Sequence, residues 1–266
     1  MTSAINPAMA DLRAAVGEIV EPVTSFEHQL LDWVVGWDEY AMLGRSFEPG
    51  DVVVDVGAHI GAFTALVHVL GSRAIHAFEP DVANHARLCD TASGLDGVIV
   101  HRRAVFRSDR SSGSISLPSS GSRGDNTGSV NVVFGGRGFD VEAQMLDIPT
   151  HDRFDSVGTV GLDDVLVELG RVRLLKLDCE GSEFPILLTS RRLDLVDEVV
   201  GEYHAIDDGL ASSLVDAARL DGLRSYEPAM LAVTLTAAGF DVTMRPAGPM
   251  IGLFRAVRRA SDADRT

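Results

Sequence analysis

The chain has 266 residues, 39 acidic and 23 basic, so its formal net charge is −16. Apolar residues make up 45% and charged residues 23%, a globular mixture that excludes wholesale disorder. The acidic balance repels phosphate backbones and argues against a nucleic-acid partner, while two cysteines, Cys89 and Cys179, exclude a disulfide framework and favour a reducing, cytoplasmic setting.

No apolar run reaches the ~18–20 residues of a bilayer span, and residues 1–20 lack the basic start and apolar core of a secretory signal. Residues 1–48 read as a helical N-terminal extension of a domain that fills 49–266. Leu30, Leu31, Val34 and Val35 recur at helical spacing. Trp33 and Trp37, four apart, share a face that either packs on the main domain or forms a lid over an acceptor pocket. Pro49-Gly50 is a turn signal. Strands are then expected at 51–56, 74–79, 98–101, 157–160, 173–178, 198–203, 241–245 and 251–256. Helices are expected between them at 61–70, 81–92, 163–169, 183–188 and 229–238. An insertion around 108–140 breaks the rhythm; its first part, 108–138, holds nine Ser and seven Gly. It reads as a hairpin or loop with β-like pieces at 114–117 and 129–134, mobile without an acceptor and closing over one. The alternation predicts a doubly wound, mostly parallel α/β sheet with ligands beyond the carboxyl ends of its strands.

Those ends carry the chemistry. The first reads Asp55-Val56-Gly57-Ala58-His59-Ile60-Gly61. Gly57 and Gly61 let the backbone bend close to a ligand, and the helix start offers N–H groups to a carboxylate. Asp55 would take an ammonium group. The second ends in Glu79-Pro80, 22 residues after Gly57, where an acid accepts both ribose hydroxyls. An ammonium, a carboxylate and two free hydroxyls describe S-adenosylmethionine. The pattern departs from the dinucleotide G-x-G-x-x-G, which disfavours an NAD oxidoreductase. Ala104 and Val105, after the third strand, are placed to pack on the adenine.

Lys176 and Asp178 are two apart and share a strand face, as do Glu202 and His204. Lys176 reads as half of a structural ion pair, and Cys179 as a small core residue. Asp178 falls where the methyl meets the acceptor, with Glu180 at the start of the next turn. With Glu202 and His204 these acids form a cluster in which His204 takes a hydroxyl proton. The other reading makes Asp178, Glu180 and Glu202 ligands of a divalent metal; the metal-free version is preferred because no ligand-rich motif is present.

Three segments resemble the FkbM family of S-adenosylmethionine-dependent methyltransferases: 55–64 (DVGAHIGAFT), 77–80 (AFEP) and 175–183 (LKLDCEGSE). The resemblance spans about 50–205 and implies a seven-stranded, Rossmann-like class I sheet with a reversed last strand. It implies O-methylation of a hydroxyl on a sugar or natural product. Its cofactor positions are Asp55, Gly57, Ala58, His59, Gly61, Thr64, Glu79, Pro80, Ala104, Val105 and Asp178. His59 stands where Asn is more typical. The expected partner is a small-molecule acceptor, with neither nucleic acid nor membrane. N- or carboxyl-methylation, and a nucleoside-binding protein without turnover, are the alternatives.

Overall fold

The computed structural model describes residues 7–118, 133, 154–211 and 214–260. In chain order the strands are β1 (Val52–Val56), β2 (Ala74–Phe78), β3 (Val98–His101), β4 (Ala104–Phe106), β5 (Ser114–Pro118), β6 (Phe154–Gly161), β7 (Leu174–Leu177), β8 (Glu198–His204), β9 (Phe240–Pro246) and β10 (Ile251–Arg258). Seven of them form the main sheet in the order β3-β2-β1-β7-β8-β10-β9. Neighbours pair in parallel from β3 to β8, and β10 runs antiparallel to both β8 and β9. The strand order reverses between β1 and β7, which opens a crevice beyond their carboxyl ends.

The apolar runs of β1 and β7 are buried on both faces, as parallel strands require. Val54, Val56, Leu175 and Leu177 face α5 (Leu162–Leu169), α6 (Glu183–Thr189) and α7 (Pro228–Ala237); Phe184, Leu187 and Leu231 complete that core. On the opposite face Val53, Leu174 and Val200 pack with Phe63 and Leu66 of α3 (Ala62–Val69). Met9 and Val16 of α1 (Pro7–Ile19) and Leu31 of α2 (Ser25–Leu31) join the same core. The N-terminal extension is therefore a third layer on the sheet. Helix α4 (Val82–Ala92) adds Leu88, packed with Ala58 and Ala77.

Thr24 and Glu27 form a reciprocal cap at the start of α2, with N–H···O distances of 3.1 and 3.2 Å. The helix then widens into a π-turn over Asp32–Gly36, closed by Trp37 N–H on Asp32 O at 2.7 Å. A non-helical turn at 38–41 leads back towards the sheet. Arg45 anchors the segment on β8 through two 2.7 Å hydrogen bonds to Glu198, which also accepts from Arg255 at 2.6 Å.

A second sheet, β4-β6-β5, corrects the reading of 157–160 as part of the main sheet. There β6 pairs in parallel with β4 and antiparallel with β5. The expected piece at 114–117 is β5. The piece at 129–134 lies outside the described residues apart from Val133, and most of the 108–140 insertion with its expected closure lies outside them too. Among the described residues no helix is long and apolar enough to cross a membrane.

Candidate active site

Strand register decides the fate of Asp55. It pairs with Lys176 across β1 and β7, so the two side chains emerge side by side beneath α3. Lys176 Nζ lies 3.1 Å from Asp55 Oδ1 and donates to the Gly57 carbonyl at 2.7 Å. Thr64 Oγ1 donates to Asp55 Oδ2 at 2.7 Å. Asp55 is fully buried and absent from the cavity wall. The carboxylate expected to take a ligand ammonium is held by Lys176 and Thr64 instead, and Lys176 is the structural partner that its place in an apolar strand suggests. Gly61, Ala58 and Thr64 also lie off the wall. A Cβ on Gly61 would meet Leu88 and Thr91 at 2.9 Å, so that glycine serves the contact between α3 and α4. Gly57 is on the wall. Its φ is 75°, and a Cβ there would lie 1.8 Å from the Asp178 carbonyl oxygen.

A cavity of about 660 Å³ runs across the strand ends from β2 to β10. Its first end holds Gly57, His59, Glu79, Pro80, Ala104 and Val105. The buried Glu79 carboxylate accepts one N–H on each oxygen, from His59 and from Asp81, both at 2.8 Å. Burial pushes Glu79 up to about 7, against the pull of those two bonds. His59 has a left-handed φ of 51° and sets its ring edge-on to Phe26 at 6.3 Å. Burial lowers it to about 4, so the imidazole is neutral at pH 7.

The second end gathers Asp178, Glu180, Glu202 and His204, as the alternation predicts. His204 Nε2 is 3.5 Å from Glu180 and 3.6 Å from Glu202, and Nδ1 is 3.5 Å from Glu183. Burial pushes His204 down, but Glu180 and Glu183, then Glu202, outweigh it and raise it well above 6.5. The three neighbouring carboxyl groups thus favour the charged form of the ring, the form that accepts no proton, whereas the sequence reading makes His204 a proton acceptor. Burial lifts Glu180 to about 7, and burial with Asp178 lifts Glu202 to about 9. Glu183 is itself occupied, accepting from Cys179 N–H at 2.8 Å and Gly181 N–H at 3.0 Å. Asp178, Glu183 and His204 each offer a ligand atom within 4.8 Å of the others. That set differs from the Asp178, Glu180 and Glu202 expected for a metal. Cys179 packs on the core, and burial drives its thiol up.

Sequence reasoning missed several wall residues. Phe26 and Glu39 come from the N-terminal layer, and Arg245 and Leu253 from β9 and β10. Tyr40 lies behind the wall and donates from its hydroxyl to Asp178 Oδ2 at 2.8 Å. Trp33 and Trp37, the pair read from the sequence as packing on the main domain or covering an acceptor pocket, line the same wall. Ser182, 1% exposed, lines the cavity with its hydroxyl unpartnered among the described residues.

The strand order, the single reversed strand and the crevice between β1 and β7 define a class I methyltransferase fold. Solved structures similar to it include two that are covered almost end to end. One is the DhpI-SAH complex, at 13% identity and TM-score 0.44, covering 96% of each chain. The other is a putative RNA methyltransferase from Pyrococcus horikoshii, at 12% identity and TM-score 0.41, covering 96% of this chain and 100% of that one. The 31-O-demethyl-FK506 methyltransferase FkbM of Streptomyces tacrolimicus is 31% identical over 223 residues, 77% of this chain and 86% of its own. The Methyltransferase FkbM domain matches residues 55–240. The chain belongs to the FkbM methyltransferase family.

Proposed function

We propose that this methyltransferase uses S-adenosylmethionine to methylate a hydroxyl on a small molecule, a sugar or a natural product. The observation that carries the reading is one continuous cavity with Glu79 at one end and the Asp178–Glu180–Glu202 cluster at the other. Each Glu79 oxygen has one N–H bond and a remaining lone pair, which suits two ribose hydroxyls. Ala104 and Val105 offer apolar surface to a base, and His59 a neutral ring on the methionine side. When bound, the cofactor supplies a methyl group activated on a sulfonium.

The chain then has to position an oxygen nucleophile and take its proton. Glu180, near 7, matches the working pH of a general base. Glu202, near 9, carries a proton at neutral pH and donates to the acceptor. The His204 ring, 3.5 Å from Glu180 and 3.6 Å from Glu202, holds both side chains at the cavity mouth. Trp33 and Trp37, from the 1–48 extension, provide an apolar wall for the acceptor, and 49–266 carries the transfer chemistry. The relative's name specifies 31-O-demethyl-FK506, an O-demethyl compound, which supports an oxygen acceptor. Both cysteines are free thiols, which suits a reducing cytoplasm.

The test is mass spectrometry of hydroxylated candidate acceptors after incubation with methyl-labelled S-adenosylmethionine. The expected product carries the label on oxygen, with equal rates in chelator. Label on nitrogen or carboxylate overturns the acceptor class. Loss in chelator with rescue by Mg²⁺ overturns the metal-free version and points to Asp178, Glu183 and His204.

A further inference from the structure

The turn at 38–41 is strained at both ends. Asp38, at φ 54°, and Ala41, at φ 55°, occupy the left-handed region that non-glycine residues seldom enter. The Asp38 carboxylate holds the turn closed by accepting the N–H groups of Met42 and of Leu43, the latter at 3.0 Å. Between the strained residues sit Glu39 and Tyr40. The Tyr40 ring is buried edge-on against Phe63 at 5.3 Å, and its hydroxyl bonds Asp178.

Glu39 lies on the cavity wall, and its carboxylate has no hydrogen bond or ion pair among the described residues. Burial and the neighbouring Asp178 push it up to about 7. Ser182, on the same wall, adds a buried hydroxyl with no partner among the described residues. Polar groups removed from water without a protein partner are costly, and a ligand supplies what the fold withholds. The turn precedes the family match, which starts at residue 55, so nothing in that match accounts for it.

We propose that Glu39 is a binding residue for a cationic centre at the Asp178 end of the cavity, and that Tyr40 is a positioning residue that aims Asp178 at the same centre. The proposal rests on the methyltransferase reading above, in which the sulfonium is that centre. Lys176, itself paired with Asp55 at 3.1 Å, stands 4.0 Å from Asp178, and Arg245 lines the same wall; Glu39, Asp178, Glu180 and Glu202 outnumber these cations and favour a positive ligand group, and the Tyr40 hydroxyl fixes the Asp178 carboxylate.

Two probes of nearly the same shape test it on the full chain by calorimetry. Sinefungin carries an ammonium in place of the methylated sulfonium, and S-adenosylhomocysteine is uncharged at that point. The wild type is expected to bind sinefungin more tightly. Glu39→Gln is expected to weaken sinefungin about tenfold and S-adenosylhomocysteine by less than about threefold. Tyr40→Phe, which keeps the ring, is expected to lower the ratio of the two affinities in the same direction. The exposed Glu18→Gln controls for net charge and leaves both unchanged. Equal weakening of both probes by Glu39→Gln and Tyr40→Phe, or no change in either, overturns the proposal, because a merely structural role leaves the ratio intact. Failure of both probes to bind the wild type is a different result: it overturns the cofactor reading and this proposal with it.

Discussion

Asp55 and Glu79 look alike in the sequence, each an acid at a strand end, yet the structure gives them different work. Asp55 is buried with Lys176 and Thr64, so Asp55→Asn leaves a buried ammonium poorly compensated. The expected cost is about 3 kcal/mol of stability, read by denaturant unfolding. Glu79 faces the cavity, so Glu79→Gln is expected to weaken S-adenosylhomocysteine by about 1–3 kcal/mol in calorimetry. His204 gives a third outcome. Its positive charge lowers the proton affinity of Glu180 and Glu202. His204→Gln removes that charge, so the acid limb of the pH–rate profile is expected to move to higher pH. An unmoved limb would show that those carboxylates are not the titrating groups.

At the scale of elements, alternation within a strand was legible and partnership between strands was not. The two-residue spacings predicted that Asp178 shares a face with Lys176, and His204 with Glu202, and the sheet places them so. That Asp55 turns inward depends on its register with Lys176 of β7, 121 residues away in sequence, which no local pattern encodes. Strand β4 has three residues, too few to show a period, and without it 157–160 reads as a strand of the main sheet. The charge on His204 depends on Glu183, whose side chain comes from a different element. Glu39 and Tyr40 were invisible because their segment resembled nothing recognisable. That segment is secured by the clasp of Arg45 and Arg255 on Glu198. Burial alone pushes Glu198 up, but the two arginines outweigh it and hold the carboxyl below 4.5. Its contribution is therefore present above pH 4.5 and lost as pH falls through the lower, folded value. Glu198→Gln is expected to cost about 3 kcal/mol at pH 7 and much less at pH 3. Denaturant titrations at the two pH values check it.

For the whole molecule the acidic cavity sets the pH dependence of stability. Glu39, Glu79 and Glu180 rise from 4.5 to about 7, and Glu202 to about 9. The folded chain thus binds more protons than the unfolded one through that window, so stability falls as pH rises. His204 acts in the same direction: its contribution is complete below 6.5 and is lost as pH climbs through its higher folded value. His59, lowered to about 4, opposes the trend only below 6.5. Between pH 6.5 and 9 these groups agree, and the ligand-free protein is expected to melt several degrees lower at pH 9 than at pH 6.5. Glu202→Gln should flatten that slope in scanning calorimetry. A flat profile in the wild type would contradict the charge crowding.

The π-turn at Asp32–Gly36 fixes the course of the chain at one spot. Each residue of an α-helix advances the chain by about 100°, and the wide turn carries one residue more than an α-helical path needs. A single deletion there restores a regular helix and leaves the chain after Trp37 on nearly the same course. Tightening the turn to α pitch without a deletion instead swings everything after Trp37 around the axis by roughly that angle. Neither composition nor hydrophobicity changes in that case, yet Tyr40 is carried away from Asp178. An insertion in the exposed 221–224 stretch turns no such corner. For this chain, the pitch of one helical turn is as exacting a requirement as the identity of any residue in the cavity.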